Sequence, residues 1–277
     1  MADQHARIAP TAYVTSYVWH RERFPHAELF TSPRGAFLYW LFRGLFETVP
    51  RLFVRSPTLH QALAYRHHLI DFAVERHEPD LLIEIAGGLS RRGATFAGRG
   101  VRTVEIDLPH MIAAKQERLE QADPELRAAL DAHHTARALD VLSDGFADEL
   151  AAVIGDAQRP VVVAEGLLVY FELAQRQQLL ASLGAALAGR DAVFLFDAYV
   201  TLGAGRSVLN AAINIVTRGQ GPRPGWASWD AVGAALTEAG FTTHGPVRAS
   251  ELPEARRPEL TDERMPGRVM EARVSPA

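Results

Sequence analysis

Four acidic residues stand at or near the ends of short strand-like segments, three of them largely apolar and the third along the chain mixed in composition. They are Glu84, Asp107, Asp140 and Glu165. In an open parallel sheet the carboxyl ends of the strands lie at one edge, and ligands bind there, near the point where the strand order reverses. We therefore expect these carboxylates to meet around one ligand.

The first apolar run leads into a turn that contains two glycines, Ala86-Gly87-Gly88. Asp107 follows Gly88 by 19 residues, and an acid at about 20 residues from such a turn commonly binds the ribose hydroxyls of a cofactor. The turn lacks the G-x-G-x-x-G spacing that holds a pyrophosphate. Carboxylates around it repel phosphate and suit a cation, which favours S-adenosylmethionine over NAD. A NAD(P) dehydrogenase remains the alternative.

Strand-like and helical segments alternate from about residue 80 onward. The strand-like runs are 81–86, 101–107, 134–140, 161–166, 192–199 and 267–274. The clearest helical patterns between them are 110–122 and 173–189. This alternation predicts an α/β fold with a doubly wound, mostly parallel sheet that is covered by helices on both faces.

The segment before the first strand reads as helices without a strand, at 11–24, 35–46 and 59–77. We expect a helical cap over the ligand edge, which divides the chain into a cap at 1–78 and a cofactor-binding domain at 79–277. A further helical pattern at 208–219 predicts an insert near 202–225.

Composition excludes several classes of site and partner. There is no cysteine, so disulfides and thiolate zinc sites are impossible, and the net charge of −4 gives no basic patch for nucleic acid. The histidine pairs His67-His68 and His133-His134 are adjacent and cannot face one metal ion, so we predict none. The apolar run 35–46 is too short to span a bilayer. We expect a cytoplasmic protein that binds neither nucleic acid nor membrane.

Several segments, in order and at suitable spacing, resemble the leucine carboxyl methyltransferase family. The resemblance is closer to its bacterial branch, which includes tetracenomycin-type polyketide O-methyltransferases. The matching segments are "LAYRHHLIDFAVE" (63–75), "LLIEIAGGLSRRG" (81–93), "VEIDLPHMIAAKQ" (104–116), "VVVAEGLLVYF" (161–171) and "SWDAVGAALTEAGF" (228–241). The resemblance implies a class I methyltransferase fold, which is Rossmann-like with an antiparallel last strand, and S-adenosylmethionine as cofactor.

The resemblance also implies roles for single residues. Arg66 matches the arginine that holds the methionine carboxylate, and Glu165 the acid on the ammonium or sulfonium side. Asp107 matches the ribose ligand. The complete set of cofactor-binding residues that it implies is Arg66, Glu84, Gly87, Gly88, Asp107, Leu108, Asp140, Val141 and Glu165.

Other interpretations of these residues stay open in the sequence. Glu84 could form a structural ion pair with an arginine, Asp107 could cap the helix that starts near Pro109, and Arg66 could lie on a solvated helix face. The residues after the turn, Ser90, Arg91 and Arg92, are interpreted as a helix start and protein surface.

Four aromatic residues are candidates to contact the methyl acceptor, and His20 among them could act as a base. The four predicted catalytic residues are Tyr17, His20, Tyr170 and Tyr199. The alternative is that they pack the cap.

We predict an S-adenosylmethionine-dependent O-methyltransferase acting on a small-molecule carboxylate or hydroxyl, of polyketide-like character. Alternatives are a sulfonium-assisted rearrangement or elimination, and a non-catalytic cofactor-binding scaffold. Segments 35–46 and 208–219 could form a homo-oligomer interface.

Overall fold

A computed structural model describes residues 9–46, 57–200, 223–254, 262, 265 and 267–275 of the chain. The predicted helix 208–219 lies outside the described residues, as does almost all of the predicted insert near 202–225.

The core of the protein is a seven-stranded sheet with the order β3-β2-β1-β4-β5-β7-β6. Its strands are β1 (Leu81–Ile85), β2 (Arg102–Asp107), β3 (His134–Ala138), β4 (Pro160–Ala164), β5 (Ala192–Ala198), β6 (Thr243–Pro246) and β7 (Arg268–Val274). The first five strands are parallel, and β7 runs antiparallel to both of its neighbours. The predicted fold class is confirmed, including the antiparallel last strand. The strand order reverses between β1 and β4, so ligands are expected at that point.

Ten α-helices surround the sheet within the described residues. They are α1 (Ala9–Arg21), α2 (Ala27–Phe30), α3 (Pro33–Phe46), α4 (Leu59–His77), α5 (Arg92–Gly98), α6 (Pro109–Leu119), α7 (Pro124–His133), α8 (Phe146–Ile154), α9 (Leu173–Leu187) and α10 (Trp229–Glu238). Capping explains several of their boundaries. Thr58 and Gln61 form a capping box at the start of α4, and Asp123 caps α7 ahead of Pro124.

The central strands are buried on both faces because helices cover both sides of the sheet. β1 and β4 are fully buried along their length, as their nearly continuous apolar sequences require. One face packs against α8, α9 and α10. On the other face α4 inserts Leu69, Ile70 and Val74 against the sheet. Helix α4 therefore covers a sheet face along most of its length, and its Arg66 and His67 side chains reach the carboxyl end of β4.

The first two helices pack over the carboxyl edge of the sheet. Ala12 from α1 and Phe30 from α2 join an apolar cluster with Leu89 and Met111, on either side of the glycine turn. This packing brings the amino-terminal helices to the edge where ligands bind in such sheets. The proposed boundary between a cap and a cofactor-binding domain at residue 78 stays a prediction.

Candidate functional site

The turn after β1 has a strained backbone of the kind that functional sites contain. Ala86 has φ of 51° and Gly88 has φ of 57°, and a left-handed conformation is costly for alanine and free for glycine. The Ala86 amide donates to the Ile106 carbonyl oxygen at 2.7 Å, which ties the turn to β2. A Cβ at Gly87 would lie 2.8 Å from Cδ of Glu84. The glycine therefore lets the backbone close directly over the Glu84 carboxylate.

Asp107 joins the end of β2 to the same turn. Its Oδ2 accepts a hydrogen bond from the Gly88 amide at 2.8 Å, and its Oδ1 accepts one from the Leu108 amide at 2.7 Å. Burial raises the pKa of Asp107, and these two amide donors partly offset that effect. Helix α6 begins at Pro109 with Leu108 as its N-cap residue and has no side-chain cap. Asp107 therefore acts on the turn and does not cap the helix.

Arg66 lies inside the protein between two carboxylates. Its Nε donates to Glu165 at 3.0 Å and its Nη1 donates to Asp197 at 2.9 Å. Burial would lower the pKa of the Arg66 guanidinium, but the adjacent carboxylates outweigh it and raise the pKa well above its ordinary value. The interpretation of Arg66 as part of a solvated face is wrong, because α4 turns this residue toward the strand ends.

Arg91 and Arg92 are buried, so their interpretation as protein surface is wrong. Arg92 donates to Asp71 at 2.8 Å, to Glu84 at 2.5 Å and to Glu165 at 2.7 Å. Arg91 pairs with Asp71 and lies over the Phe24 ring. Both arginines begin a short helix that neighbouring helices cover. Glu84 therefore forms the ion pair with an arginine that was one of its two interpretations. It can also bind a ligand, because its Oε2 accepts no hydrogen bond from the residues described.

His67 sits in this network as a neutral ring. Arg91 Nε can only donate, so His67 Nε2 at 3.2 Å must accept. Nδ1 lies 2.8 Å from Glu165 Oε2, which can only accept, and 2.9 Å from Arg92 Nη2, which can only donate. We assign the ring proton to Nδ1, where it donates to Glu165, because Arg92 Nη2 has its own acceptor in Glu165 Oε2 at 2.7 Å. Burial, followed by the nearby arginines, lowers the pKa of His67 well below its ordinary value against the opposing pull of Glu165. Burial would raise the pKa of Glu165, but its cationic and hydrogen-bonding neighbours hold it well below normal.

A second group of buried charges lies beneath the turn on the β2 side. Lys115 Nζ is 2.8 Å from Glu105 Oε1 and 3.8 Å from Glu84 Oε2. His134 Nε2 lies 3.4 Å from Glu105 Oε1. Burial would raise the pKa of Glu105, but Lys115 and His134 outweigh it and lower the pKa to about 2.

Four buried charged residues form ion pairs with the predicted site residues or with the arginines after the turn, or lie beside them, but were not themselves predicted from the sequence. They are Asp71, Glu105, Lys115 and Asp197. Three of them are carboxylates inside apolar segments, and a buried charge requires a partner. Two arginines directly after a glycine turn were the available signal, because the acids predicted around that turn need counter-ions.

The predicted adenine-side residues separate in the structure. Asp140 is exposed, and its Oδ1 accepts a hydrogen bond from the Leu142 amide at 3.0 Å. Val141 is buried in the main core. Both follow β3 at the expected edge of the sheet.

The four predicted catalytic residues fall into two groups. Tyr199 lies with its hydroxyl 3.4 Å from Arg66 Nη1, and Tyr170 forms a hydrogen bond with Thr11 of α1. Burial raises the pKa of both phenols. Tyr17 packs against Tyr39 at 5.2 Å between ring centroids, and the His20 ring, which is exposed, lies 6.0 Å from that of Tyr17.

The space beside the turn is too tight to admit a water molecule, and it is lined by Gly87, Gly88, Glu105, Asp107, Met111, Ile112 and Lys115. A Cβ at Gly88 would lie 3.2 Å from Ala12 Cβ, so α1 covers the turn directly.

In the described part of the chain, no group of three or more His, Asp or Glu side chains is arranged to hold a metal ion. None of the helices described there is long and apolar enough to cross a membrane.

Comparison with known proteins agrees with this geometry. Residues 89–184 match the leucine carboxyl methyltransferase family. The S-adenosylmethionine-dependent methyltransferase SibL, in its apo form, aligns with 92% of this chain at 20% identity and a TM-score of 0.50. An O-methyltransferase family protein from Burkholderia thailandensis aligns with 91% at 14% identity, also with a TM-score of 0.50. The chain spans 61% and 63% of the lengths of these two structures. No curated protein matches it in sequence.

These similarities show the fold, and the family match begins directly after the turn and runs from α5 through β2 and β4 into α9. Together they confirm the predicted class I methyltransferase fold, and over residues 89–184 they confirm the resemblance to the leucine carboxyl methyltransferases, a family of enzymes that use S-adenosylmethionine.

Proposed function

We propose that the protein is an S-adenosylmethionine-dependent O-methyltransferase that acts on a small-molecule carboxylate or hydroxyl. The proposal extends the family resemblance to the whole chain and to its residues. A polyketide-like acceptor is the specific expectation, because the sequence segments resemble the bacterial branch, which includes polyketide O-methyltransferases, more than the eukaryotic branch.

The observation that carries the proposal is the excess of buried carboxylates at the carboxyl edge of the sheet. Among the residues described, the carboxylates are Asp71, Glu84, Glu105, Asp107, Glu165 and Asp197, and the arginine and lysine cations among them are Arg66, Arg91, Arg92 and Lys115. Such an excess disfavours a pyrophosphate and favours a ligand that carries a net positive charge. None of the described residues donates a hydrogen bond to the buried Glu84 Oε2, which lies directly beneath Gly87 and 3.8 Å from Lys115 Nζ.

These residues fit the cofactor in kind. Asp107 uses each oxygen once on a backbone amide and retains lone pairs for ribose hydroxyls. Arg66 would hold the methionine carboxylate, and Glu165 and Glu84 would face its ammonium side. The cofactor supplies a methyl group on a positively charged sulfur, which is already an activated leaving group. A nucleoside cofactor needs a pocket of roughly 300 Å³ or more, so α1 has to move away from Gly88 for binding.

The protein then has to orient the acceptor oxygen and exclude water. Tyr170 and Tyr199 are proposed to position the acceptor, since they lie beside Arg66 at the end of β4 and β5. Tyr17 and His20 would contribute from α1. A carboxylate acceptor is ionised at neutral pH and needs no base, whereas a phenol with a pKa near 10 needs one. His20 is the proposed base in the second case.

The test is isothermal titration with S-adenosylmethionine, S-adenosylhomocysteine and NADH. We expect micromolar binding of the first two and none of the third. Binding of NADH alone would favour a dehydrogenase and overturn the proposal. Binding of S-adenosylmethionine without methyl transfer to any carboxylate or phenol tested would favour the scaffold or the sulfonium-assisted chemistry.

Replacement of Asp107 by Ala is expected to weaken S-adenosylmethionine binding by about 1 to 3 kcal/mol, roughly 5- to 150-fold, because two ribose hydroxyls lose their acceptor. Asp131→Ala, at an exposed carboxylate on α7 with no assigned role, is the comparison. Equal affinity in the Asp107 variant and the unaltered protein would remove Asp107 from the cofactor site.

The pH dependence of methyl transfer distinguishes the two acceptor classes. With a carboxylate acceptor, single-turnover rates should be flat between about pH 6 and 9, because the nucleophile is ionised throughout. With a phenol, the rate should rise over this range, and His20→Ala should reduce it. A rising rate that His20→Ala leaves unchanged would exclude His20 as the base.

A further inference from the structure

The chain contains a single lysine, Lys115, among its 29 lysine and arginine residues. Every other permanent side-chain cation is an arginine, yet this one position under the glycine turn holds an ammonium group. Its side chain is only 4% exposed. An ammonium is compact, whereas a guanidinium is a wide planar fork. The space between Glu84, Glu105 and the Phe30 ring, whose centroid is 5.6 Å from Nζ, suits the smaller group.

Lys115 joins two buried carboxylates from neighbouring strands beside the turn. Glu84 is in β1 and faces Gly87, and Glu105 is in β2 and faces Gly93. A Cβ at Gly93 would collide with Glu105 Oε1, so the chain approaches this carboxylate even more closely than it approaches Glu84. Lys115 Nζ, at 2.8 Å from one acid and 3.8 Å from the other, supplies the positive charge between them.

The same ammonium also borders the space assigned to the cofactor. Lys115 lines it together with Gly87, Gly88 and Asp107. Its charge therefore acts on any ligand that enters there, and acts differently on ligands of different charge. S-adenosylmethionine carries one net positive charge at neutral pH and S-adenosylhomocysteine carries none, because methyl transfer removes the sulfonium.

We propose that Lys115 is a specificity-determining residue that sets the relative affinity of the site for the charged cofactor and its neutral product. The inference rests on the proposed function, because it takes S-adenosylmethionine as the ligand. With Lys115 present, part of the carboxylate excess is neutralised. The six carboxylates alone would favour S-adenosylmethionine over neutral S-adenosylhomocysteine more strongly. Lys115 reduces this preference.

The experiment measures the dissociation constants of S-adenosylmethionine and S-adenosylhomocysteine in the full chain by isothermal titration, at one pH and one salt concentration. The quantity of interest is the ratio of the second constant to the first. Removing a unit charge within about 10 Å of the sulfonium in a partly buried site should raise this ratio by about tenfold in Lys115→Met. Lys115→Arg keeps the charge and should leave the ratio unchanged even where it weakens both affinities.

Glu105→Gln should change the ratio of the two dissociation constants in the opposite direction. This variant also provides a test if Lys115→Met does not fold. The substitution removes the negative charge closest to Lys115, so the positive charge of Lys115 acts more strongly against the sulfonium and the ratio should fall. Arg102→Met is the matched control, since it removes a cation from the opposite, exposed end of the same strand and should not change the ratio. A purely structural role for Lys115 would weaken both ligands equally.

The outcomes separate the two proposals. If the unaltered protein binds neither ligand, the proposed function fails, and the inference fails with it. If it binds both and neither Lys115→Met nor Glu105→Gln changes the ratio by more than about twofold, the proposed function stands and the role of Lys115 is overturned. Opposite shifts in the two variants support it.

Discussion

Arg92 is the residue on which the charge network around β1 depends. Its guanidinium contacts Asp71 from α4, Glu84 from β1 and Glu165 after β4. Three parts of the fold therefore share one cation in a region shielded from water. Buried ion pairs of this kind contribute little net stability over apolar packing, but loss of one partner leaves uncompensated charge.

We expect Arg92→Met to destabilise the protein by about 3 to 5 kcal/mol, because three buried carboxylates lose a shared partner. Arg99→Met, at a surface pair with Glu75, should cost about 0 to 1 kcal/mol. Urea unfolding followed by circular dichroism measures both. Similar midpoints for the two variants would mean that solvent or rearranged side chains compensate the buried acids.

The sequence predicted the residues of the turn better than the buried partners of its carboxylates. Gly88 and Asp107 have chain spacing and strand ends as signals, and both lie at the turn as expected. The interpretation of Arg92 as a surface residue is wrong because the sequence of a seven-residue helix does not indicate which other helices cover it. Lys115 was visible as the only lysine, but its position between Glu84 and Glu105 depends on the pairing of β1 with β2.

Helix α1 controls access to the turn in this conformation. Ala12 lies against Gly88, and Thr11 forms a hydrogen bond with Tyr170 after β4. The helix thus contacts both sides of the point where the strand order reverses. The periodicity of 11–24 predicted a helix there, but only tertiary packing shows that it rests on the glycine turn.

The single lysine makes this closure measurable. An amine-reactive reagent can modify only Lys115 and the α-amino group, so mass spectrometry after proteolysis reads Lys115 directly. We expect slow modification because the side chain is buried, faster modification in Thr11→Val, which loosens α1 from Tyr170, and protection by bound S-adenosylhomocysteine. Rapid modification that is indifferent to both the variant and the ligand would show that α1 does not cover the turn in solution.

The balance of buried charge determines how the stability of the entire protein responds to pH. His67 has a lowered pKa in the folded state, so the unfolded chain binds more protons below about pH 6.5 and stability falls there. Glu105 and Glu165 also have lowered pKa values, and stability that they contribute above about pH 4.5 is lost as the pH falls further. Asp107, with a raised pKa, acts in the opposite direction.

We expect the free energy of unfolding to fall between pH 6.5 and 5.5 by up to about 1 kcal/mol from His67. His67→Gln, which keeps a donor for Glu165, should remove this slope. Chemical denaturation at a series of pH values measures it, and His110→Gln at an exposed position is the control. A slope that survives in His67→Gln would assign the proton uptake to another group.

The pairing of β5 with β7 joins segments that are far apart in the chain. Ala198 faces Arg268 and Ala192 faces Val274, so about 70 to 82 residues separate the partners. Closing a loop of that length costs chain entropy before the pairing gives any contact energy, and such topologies fold slowly. Asp197, which holds Arg66 and the Gly166 amide, lies on β5 within this pairing. We therefore expect the polar interior to be completed late in folding, so that refolding experiments recover helical signal well before they recover cofactor binding.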